Sequence, residues 1–543
     1  MRVAEALGRA ISQLGVRDAF GLVGSGNFHL ANAMQAHGVR FVAARHETGA
    51  VTMADAYARA GGRLGVATVH QGPGLTNAMT GLAEAAKSRT PLLLLAAEAT
   101  APLSNFFIDQ QKLAASIGAT HRRIAAAGTA IDDLAEAARV AVSGRQTVLV
   151  SMPLEVQAAE CDPVDVEPPA PPRAEAAASS DVESLARLFT AAKRPLILAG
   201  RGAVLSGARD PLERLAGQTG ALLATSAVGA GMFAGNPWSI GISGGFASPL
   251  AAELIEDSDL VVAFGASLNM WTTRRGHLIG TDTKVVQVDL AAEALGAHRP
   301  IDLGLKGDCG ATAEAVIAAL GSEGATGRRT RELAERIHHG GWREQPFEDL
   351  TGGGHIDPRA LSIALHALIP AERTLAVDSG HFMGWPPMYM DVPDGRAFVF
   401  TQAYMSIGLG LATGIGAAIA RPDRLTVIAL GDGGALMSLP ELETLGRLGL
   451  DALVVVYNDA SYAAEVHHFA PENAPMDNVR FPETDFAAIA RSVGLEGATV
   501  GRLEDLESVR HWLDRGRPRP MLVDAKVVPT VVAEWLEEAF RGH

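Results

Sequence analysis

The stretch RLTVIALGDGGALMSLPELETL, residues 424–445, decides how the chain is read. RLTVIAL is a continuous, largely apolar run, as parallel strands covered on both faces carry. Gly431, Asp432, Gly433 and Gly434 follow directly and open a helix. Backbone N–H groups at such a turn cradle phosphate, and glycine lets the ligand approach closely. Asp432 is placed to bind a divalent cation beside those phosphates. A second run, VVVYNDASYAAEV at 454–466, ends its strand at Asn458 and Asp459. Few protein carboxylates together with diphosphate oxygens suit Mg²⁺. Either turn alone reads as a surface turn. Both at consecutive strand ends favour a metal–diphosphate site.

The same kind of strand recurs in three blocks. RLGVATVH, PLLLLAAE and TVLVSM lie in residues 1–157; PLILAG, DLVVAFGA and KVVQVDL in 182–321. RTLAVDSG, RLTVIALGDG, ALVVVYND and PMLVDAKV lie in 357–543. The segments 158–181 and 322–356 are rich in Pro, Gly, Ala and charge without an apolar period, and read as linkers. At 543 residues the chain exceeds a single core. The expected fold class is α/β, three doubly wound parallel-sheet domains with ligands beyond the carboxyl ends of strands.

Composition excludes several functions. The net charge is −15 and no basic block occurs, so no nucleic-acid partner is expected. Cys161 and Cys309 form neither a disulfide framework nor a zinc motif. The N-terminus is an amphipathic helix, with Val3, Leu7, Ile11 and Leu14 on one face, rather than a secretory signal. Apolar runs such as PLLLLAA fall short of the roughly 18 residues that span a bilayer. The expectation is a cytoplasmic protein with no membrane partner.

Three motif matches carry little weight. GISGG at 241–245 fits the hydrolase elbow GxSxG, with Ser243, Asp257 and His277 in the right order, but proline lies on both sides. The glycines of GRGAVLSG at 200–207 miss the dinucleotide spacing. The pairs His338–His339 and His467–His468 lack metal spacing. AARHETGAVTM at 43–53 places Glu47 among small and apolar residues, where it serves either as an ordinary helix-start acid or as a half-buried group that shares a proton.

GDG followed by an Asn-type pair resembles the thiamine-diphosphate (ThDP) enzymes of the acetolactate synthase, 2-oxo acid decarboxylase and benzaldehyde lyase group. RHETGAVTMADAYAR resembles the family's glutamate helix, and HQGPGLTNAMTGLAEA its GPGxTN loop. The resemblance implies pyrimidine-binding, middle and diphosphate-binding domains in that order. It implies Mg²⁺, with Ca²⁺ or Mn²⁺ as alternatives, held by the side chains of Asp432 and Asp459 and the carbonyl of Ser461. Asp459 departs from the usual Asn, and Ser461 from the usual Gly. Gly72, Asn77, His381, Met405, Gly431, Gly433, Gly434 and Tyr462 complete the implied cofactor contacts, with Met405 supporting the bent coenzyme. Glu47 matches the acid that hydrogen-bonds the aminopyrimidine ring and promotes loss of the thiazolium C2 proton. Glu47 and the metal site belong to different domains and in the family meet across a dimer interface, so a homodimer or tetramer is expected.

The groups that would choose the reaction give mixed signals. Gln110 resembles the Gln of acetolactate synthases. Ser25 and His70 fall where benzoylformate decarboxylase carries Ser and His, and Glu465 where pyruvate decarboxylases place an acid. FGASLNMWTTRRG at 264–276 lacks the Asp pair of the flavin-binding stretch, so FAD is not expected. The expected activity is cleavage of a 2-oxo acid with CO₂ release and ligation to a second carbonyl. Simple decarboxylation, aldehyde lysis and a non-catalytic binding protein are the alternatives.

Overall fold

The computed structural model describes residues 1–171, 173–321 and 327–536. Position 172 of the first linker, 322–326 of the second and 537–543 at the C-terminus lie outside the described residues. Three six-stranded sheets form among the described residues. The first holds β1 (Asp18–Gly21), β2 (Arg40–Ala43), β3 (Gly65–Val69), β4 (Leu92–Glu98), β5 (Thr120–Arg123) and β6 (Thr147–Pro153). The second holds β7 (Pro195–Ala199), β8 (Leu222–Thr225), β9 (Ser239–Ile242), β10 (Leu260–Phe264), β11 (Lys284–Asp289) and β12 (Leu303–Lys306). The third holds β13 (Arg373–Val377), β14 (Phe398–Phe400), β15 (Leu425–Gly431), β16 (Ala452–Asn458), β17 (Glu496–Val500) and β18 (Met521–Lys526). The pairings are parallel. The fold is α/β with helices between successive strands, and the central strands are buried throughout, as β16 is.

Strand order separates the middle domain from its neighbours. The first sheet runs β2-β1-β3-β4-β6-β5 and the third runs β14-β13-β15-β16-β18-β17, one topology used twice. The second runs β12-β11-β10-β7-β8-β9, the other common doubly wound order. In each outer sheet the order reverses in the interior, between β1 and β3 and between β13 and β15, and again at the far edge, where β5 and β17 lie outside β6 and β18. A crevice opens at the interior reversal, at the carboxyl ends.

The outer domains share one core. Helix Glu47–Gly61 lies on helix Gly410–Ala420, and Met53, Ala54 and Tyr57 join Leu411, Ile415 and Ile419 in a continuous apolar cluster. The backbones approach so closely that a Cβ on Gly416 would stand 2.2 Å from the Met53 carbonyl oxygen. Glycine is required at that crossing. Because Glu47 is the first residue of one of these helices, domain packing bears directly on its placement.

Candidate active site in two halves

The first half-site lies at the β1/β3 reversal. β1 leads into the loop carrying Ser25, which is exposed, and β3 ends at His70. His70 accepts the Gly26 N–H at Nδ1 (3.2 Å) and meets Phe106 edge-on at 5.4 Å between ring centres. Burial holds its pKa below the ordinary imidazole value, opposed by the negative charge of Glu47. A neutral ring that accepts at Nδ1 keeps its proton on Nε2. Gly72 (φ 65°) turns the chain into helix Pro73–Lys87 beside Phe106, a conformation and approach suited to glycine.

Glu47 is 8% exposed at the helix N-terminus, where His46 caps by accepting the Thr48 N–H. Asn77 donates to Glu47 Oε2 at 3.1 Å. Oε1, facing Gly74, has no hydrogen-bond donor among the described residues. Glu47 thus starts a helix and is at the same time enclosed, with Asn77 on one carboxylate oxygen. Gln110 is not brought into this group. Its amide donates to the Ala97 carbonyl at 2.8 Å and accepts the Ser151 hydroxyl at 2.6 Å. Phe106, absent from the sequence-based candidates, stands against His70 instead.

The second half-site is built on β15 and β16. Gly431 ends β15, Asp432 opens the six-residue helix Asp432–Met437, and Asn458 ends β16. Asp459 Oδ1 accepts the N–H of Ser461 at 3.1 Å and its hydroxyl at 2.9 Å, across Ala460 held at φ 55°. Burial pushes Asp432 up to about 6. Burial and the charge of Asp432 push Asp459 up to about 7. Two enclosed carboxylates, of which Asp432 raises the proton affinity of Asp459 while Lys526 lowers that of Asp432, have the chemistry of a divalent-cation donor set. Among the described residues no group of three His, Cys, Asp or Glu side chains could hold a metal ion. A cation here would take two acids and complete its coordination with a carbonyl and ligand oxygens, a donor set whose chemistry fits Mg²⁺–diphosphate.

Neighbouring loops complete this half. The Tyr462 ring covers Gly433, where a Cβ would stand 2.6 Å from Cε1. Asp378, fully buried after β13, accepts the N–H groups of Ser379, Gly408 and Leu409. It thereby ties down the loop that presents Met405, which is 45% exposed at φ 60°. Its position directly after RTLAV was a signal the sequence carried. His381 accepts the Ala533 N–H at Nε2 (2.9 Å) and stacks on His467 at 4.4 Å. Burial, then the charge of His467, pushes His381 down to about 3. It is neutral, and only its Nδ1–H is left to donate. Glu465 is exposed on helix Ala463–Phe469.

The hydrolase alternative finds no support. Ser243 is buried and donates to the Thr272 carbonyl at 2.8 Å, while Asp257 pairs with Arg194 and Arg328. In the middle domain the backbone of Gly265 and Ala266 lies against Gly200, where a Cβ would meet it at 2.3 to 2.5 Å. His338 and His339 are exposed.

Comparison with known proteins agrees along the chain. The thiamine pyrophosphate enzyme N-terminal TPP binding domain matches residues 1–121, the central domain residues 182–316 and the C-terminal TPP binding domain residues 378–525. A sulfoacetaldehyde acetyltransferase of Rhodobacter capsulatus is 28% identical, covering 100% of this chain and 96% of that protein. The acetolactate synthase large subunit of Parasynechococcus marenigrum is 27% identical, over 96% and 87%. The chloroplastic acetolactate synthase of Arabidopsis thaliana is 26% identical, over 96% and 80%. The chain belongs to the thiamine-diphosphate-dependent enzyme family.

Proposed function

We propose that the chain is a ThDP- and Mg²⁺-dependent enzyme that cleaves a 2-oxo acid beside its carbonyl, releases CO₂ and joins the remaining acyl fragment to a second carbonyl. Each active site closes between two copies of the chain. The supporting observation is the division of the site. Among the described residues no hydrogen bond, ion pair or ring contact joins Glu47, His70 or Asn77 to Asp432, Asp459 or Met405. Exposed apolar side chains rim both halves: Val23, Phe28 and Phe106 the first, Tyr404, Met405, Leu436 and Met437 the second. A two-fold dimer covers these surfaces and joins the halves.

Bound, ThDP supplies a carbon acid whose conjugate base adds to a carbonyl and then stores an electron pair. The chain's residues divide the remaining work. Asp432, Asp459 and the Ser461 carbonyl would hold the cation, and the glycine turn Gly431 to Gly434 would present backbone N–H groups to phosphate oxygens. Tyr462 walls the cradle and Met405 supports the coenzyme from its exposed turn. Glu47, with Asn77 fixing Oε2, would hold or share a proton at Oε1 with the cofactor's pyrimidine ring. His70 offers its Nε2 proton to the reacting oxygen, with Ser25 beside it. His381 donates from Nδ1 as a neutral group. Gln110 serves the reaction only indirectly, by tying the start of its helix to the ends of β4 and β6, and Glu465 faces substrate from the exposed side of helix Ala463–Phe469.

No flavin enters this reading, and the absorbance spectrum of the purified protein tests that. Among the described residues no helix is long and apolar enough to cross a membrane, and with Cys161 and Cys309 unpaired we place the protein in the cytoplasm. The relatives named sulfoacetaldehyde acetyltransferase match as well as the acetolactate synthases, which favours a second reading: C–S cleavage of sulfoacetaldehyde with release of sulfite, the acetyl group that remains passing to a nucleophile supplied in the assay, such as inorganic phosphate. Incubation with ThDP, Mg²⁺ and either pyruvate or sulfoacetaldehyde separates the two. Acetolactate or acetoin from pyruvate supports ligation, and free aldehyde alone supports decarboxylation. Turnover of sulfoacetaldehyde only supports acetyl transfer, and failure to bind ThDP at all would leave a binding protein with this fold.

A further inference from the structure

Two buried glutamates outside the machinery above reach across the contact between the first and third domains. Glu441, 2% exposed, opens helix Glu441–Leu448 shortly after the diphosphate cradle. Its Oε1 accepts the backbone N–H groups of Arg45 and His46, each at 3.0 Å, and its Oε2 accepts the Thr444 hydroxyl at 2.7 Å. Arg45 and His46 immediately precede Glu47. Gly49 leaves room for the carboxylate, since a Cβ there would stand 2.4 Å from Oε1. Glu84, 0% exposed in helix Pro73–Lys87, does the converse. It accepts the N–H of Ala403 at 3.1 Å and of Tyr404 at 2.7 Å, the two residues before Met405. Arg59 donates to the same Oε1 as Ala403, at 2.9 Å.

We infer that Glu441 and Glu84 are reciprocal positioning residues: each fixes, from the opposite domain of its own chain, the backbone that carries one cofactor-facing side chain, Glu47 or Met405. The inference rests on the reading above, in which one copy's Glu47 and the other copy's cradle share a cofactor. A consequence follows from the connectivity. Glu441 lies in the same domain as Asp432, yet the acid it positions serves the opposite active site.

The hydrogen-bond pattern distinguishes the two. At Glu441 one oxygen takes both N–H groups and the other meets a hydroxyl, which can donate or accept. A glutamine reproduces this set with its amide N–H toward Thr444. At Glu84 both oxygens accept backbone N–H groups, so a glutamine amide must face a donor.

The test uses the full chain with ThDP and Mg²⁺, reading hydrogen–deuterium exchange at the cofactor C2 by quenched NMR alongside ThDP affinity. E441A is expected to slow exchange about a hundredfold, as ångström-scale misplacement of a catalytic group does, with ThDP affinity unchanged. E441Q is expected to restore the rate, whereas E84Q weakens ThDP binding. If E441A does not fold, E441D withdraws the same carboxylate and takes its place. Mixed dimers give the sharper result. E441A and E47Q on one chain, paired with a wild-type chain, leave one working site; on opposite chains they leave none. The reverse pattern, E441A or E441D exchanging at the wild-type rate, or E441Q as slow as E441A overturns the inference. A wild-type protein that shows no exchange overturns the parent reading instead, and this one with it.

Discussion

The strand order reverses between β1 and β3 in the first domain and between β13 and β15 in the third, and ligand-facing loops leave the sheet at both places. What those loops carry differs. The first presents one enclosed acid, Glu47, beside a neutral imidazole, His70. The third crowds Asp378, Asp432 and Asp459 around glycine turns, where burial raises the proton affinity of all three. A shared topology makes two equivalent crevices, and the side chains at the strand ends suit one to holding a proton and the other to holding a cation. Among the described residues the middle domain, with another strand order, contributes no acid to either half.

If the first half manages a proton and the second a cation, single substitutions should separate the two tasks. The largest effect is expected from Glu47→Gln. Loss of a positioned acid–base group lowers the rate of turnover and of C2 exchange by about 10²–10⁴-fold, while ThDP titration stays unchanged. Equal loss of affinity and exchange would merge the two roles. Asp432→Ala should do the opposite. It should weaken Mg²⁺-dependent ThDP retention by at least the ~10–100-fold that loss of an outer-shell partner costs a metal site. Undiminished retention would remove Asp432 from the metal site.

pH sharpens the comparison. Asp432 at about 6 and Asp459 at about 7 both lie above their ordinary value of 3.8. A folded-state pKa raised above the unfolded one contributes stability that is full below about pH 4 and is lost as pH rises through 6 to 7. Cation binding needs both acids ionised, so Mg²⁺ affinity should climb over the same interval with release of protons. Calorimetry in buffers of different ionisation enthalpy measures that release. An affinity flat from pH 5 to 8 would contradict the buried pair, and Asp459→Asn should remove the upper part of the climb.

Much of this was legible in the sequence. Most of the central strands read as continuous apolar runs, and Glu47, Asp432 and Asp459 follow strands or open helices. All six edge strands, β2, β5, β9, β12, β14 and β17, escaped notice, as did β1 and β8. The edges are short and many are partly exposed, as β2 and β5 are, so burial imposes no continuous run. β1 and β8 are buried but only four residues long. The partners of Gln110 could not be read from the motif: its amide is engaged by Ala97 and Ser151, deep in the domain. Glu84 and Glu441 could not be found from sequence, because their backbone partners lie 319 and 396 residues away.

The smallest predicted effect concerns the turn that joins Asp459 to Ser461 in the third domain. Ala460 stands between Asp459 and Ser461 at φ 55°, where an L side chain meets its own backbone and glycine does not. The conformation is held from both sides: the Ala460 N–H donates to Asn458 Oδ1 at 3.2 Å, and its carbonyl accepts the Phe481 N–H at 2.8 Å. Ala460→Gly relieves the left-handed strain of about 1–2 kcal/mol. It also gives back part of that gain, because a glycine has about 0.5–1 kcal/mol more chain entropy to lose on folding. The net expectation is a stabilisation of roughly 0.5–1 kcal/mol, read as a raised denaturation midpoint with an unchanged slope. No comparable gain is available in the first domain at Gly72, whose φ of 65° is already met by glycine. A destabilised Ala460→Gly would mean that the alanine methyl makes contacts worth more than the strain, and the turn would then be a packed element rather than a strained hinge between ligands.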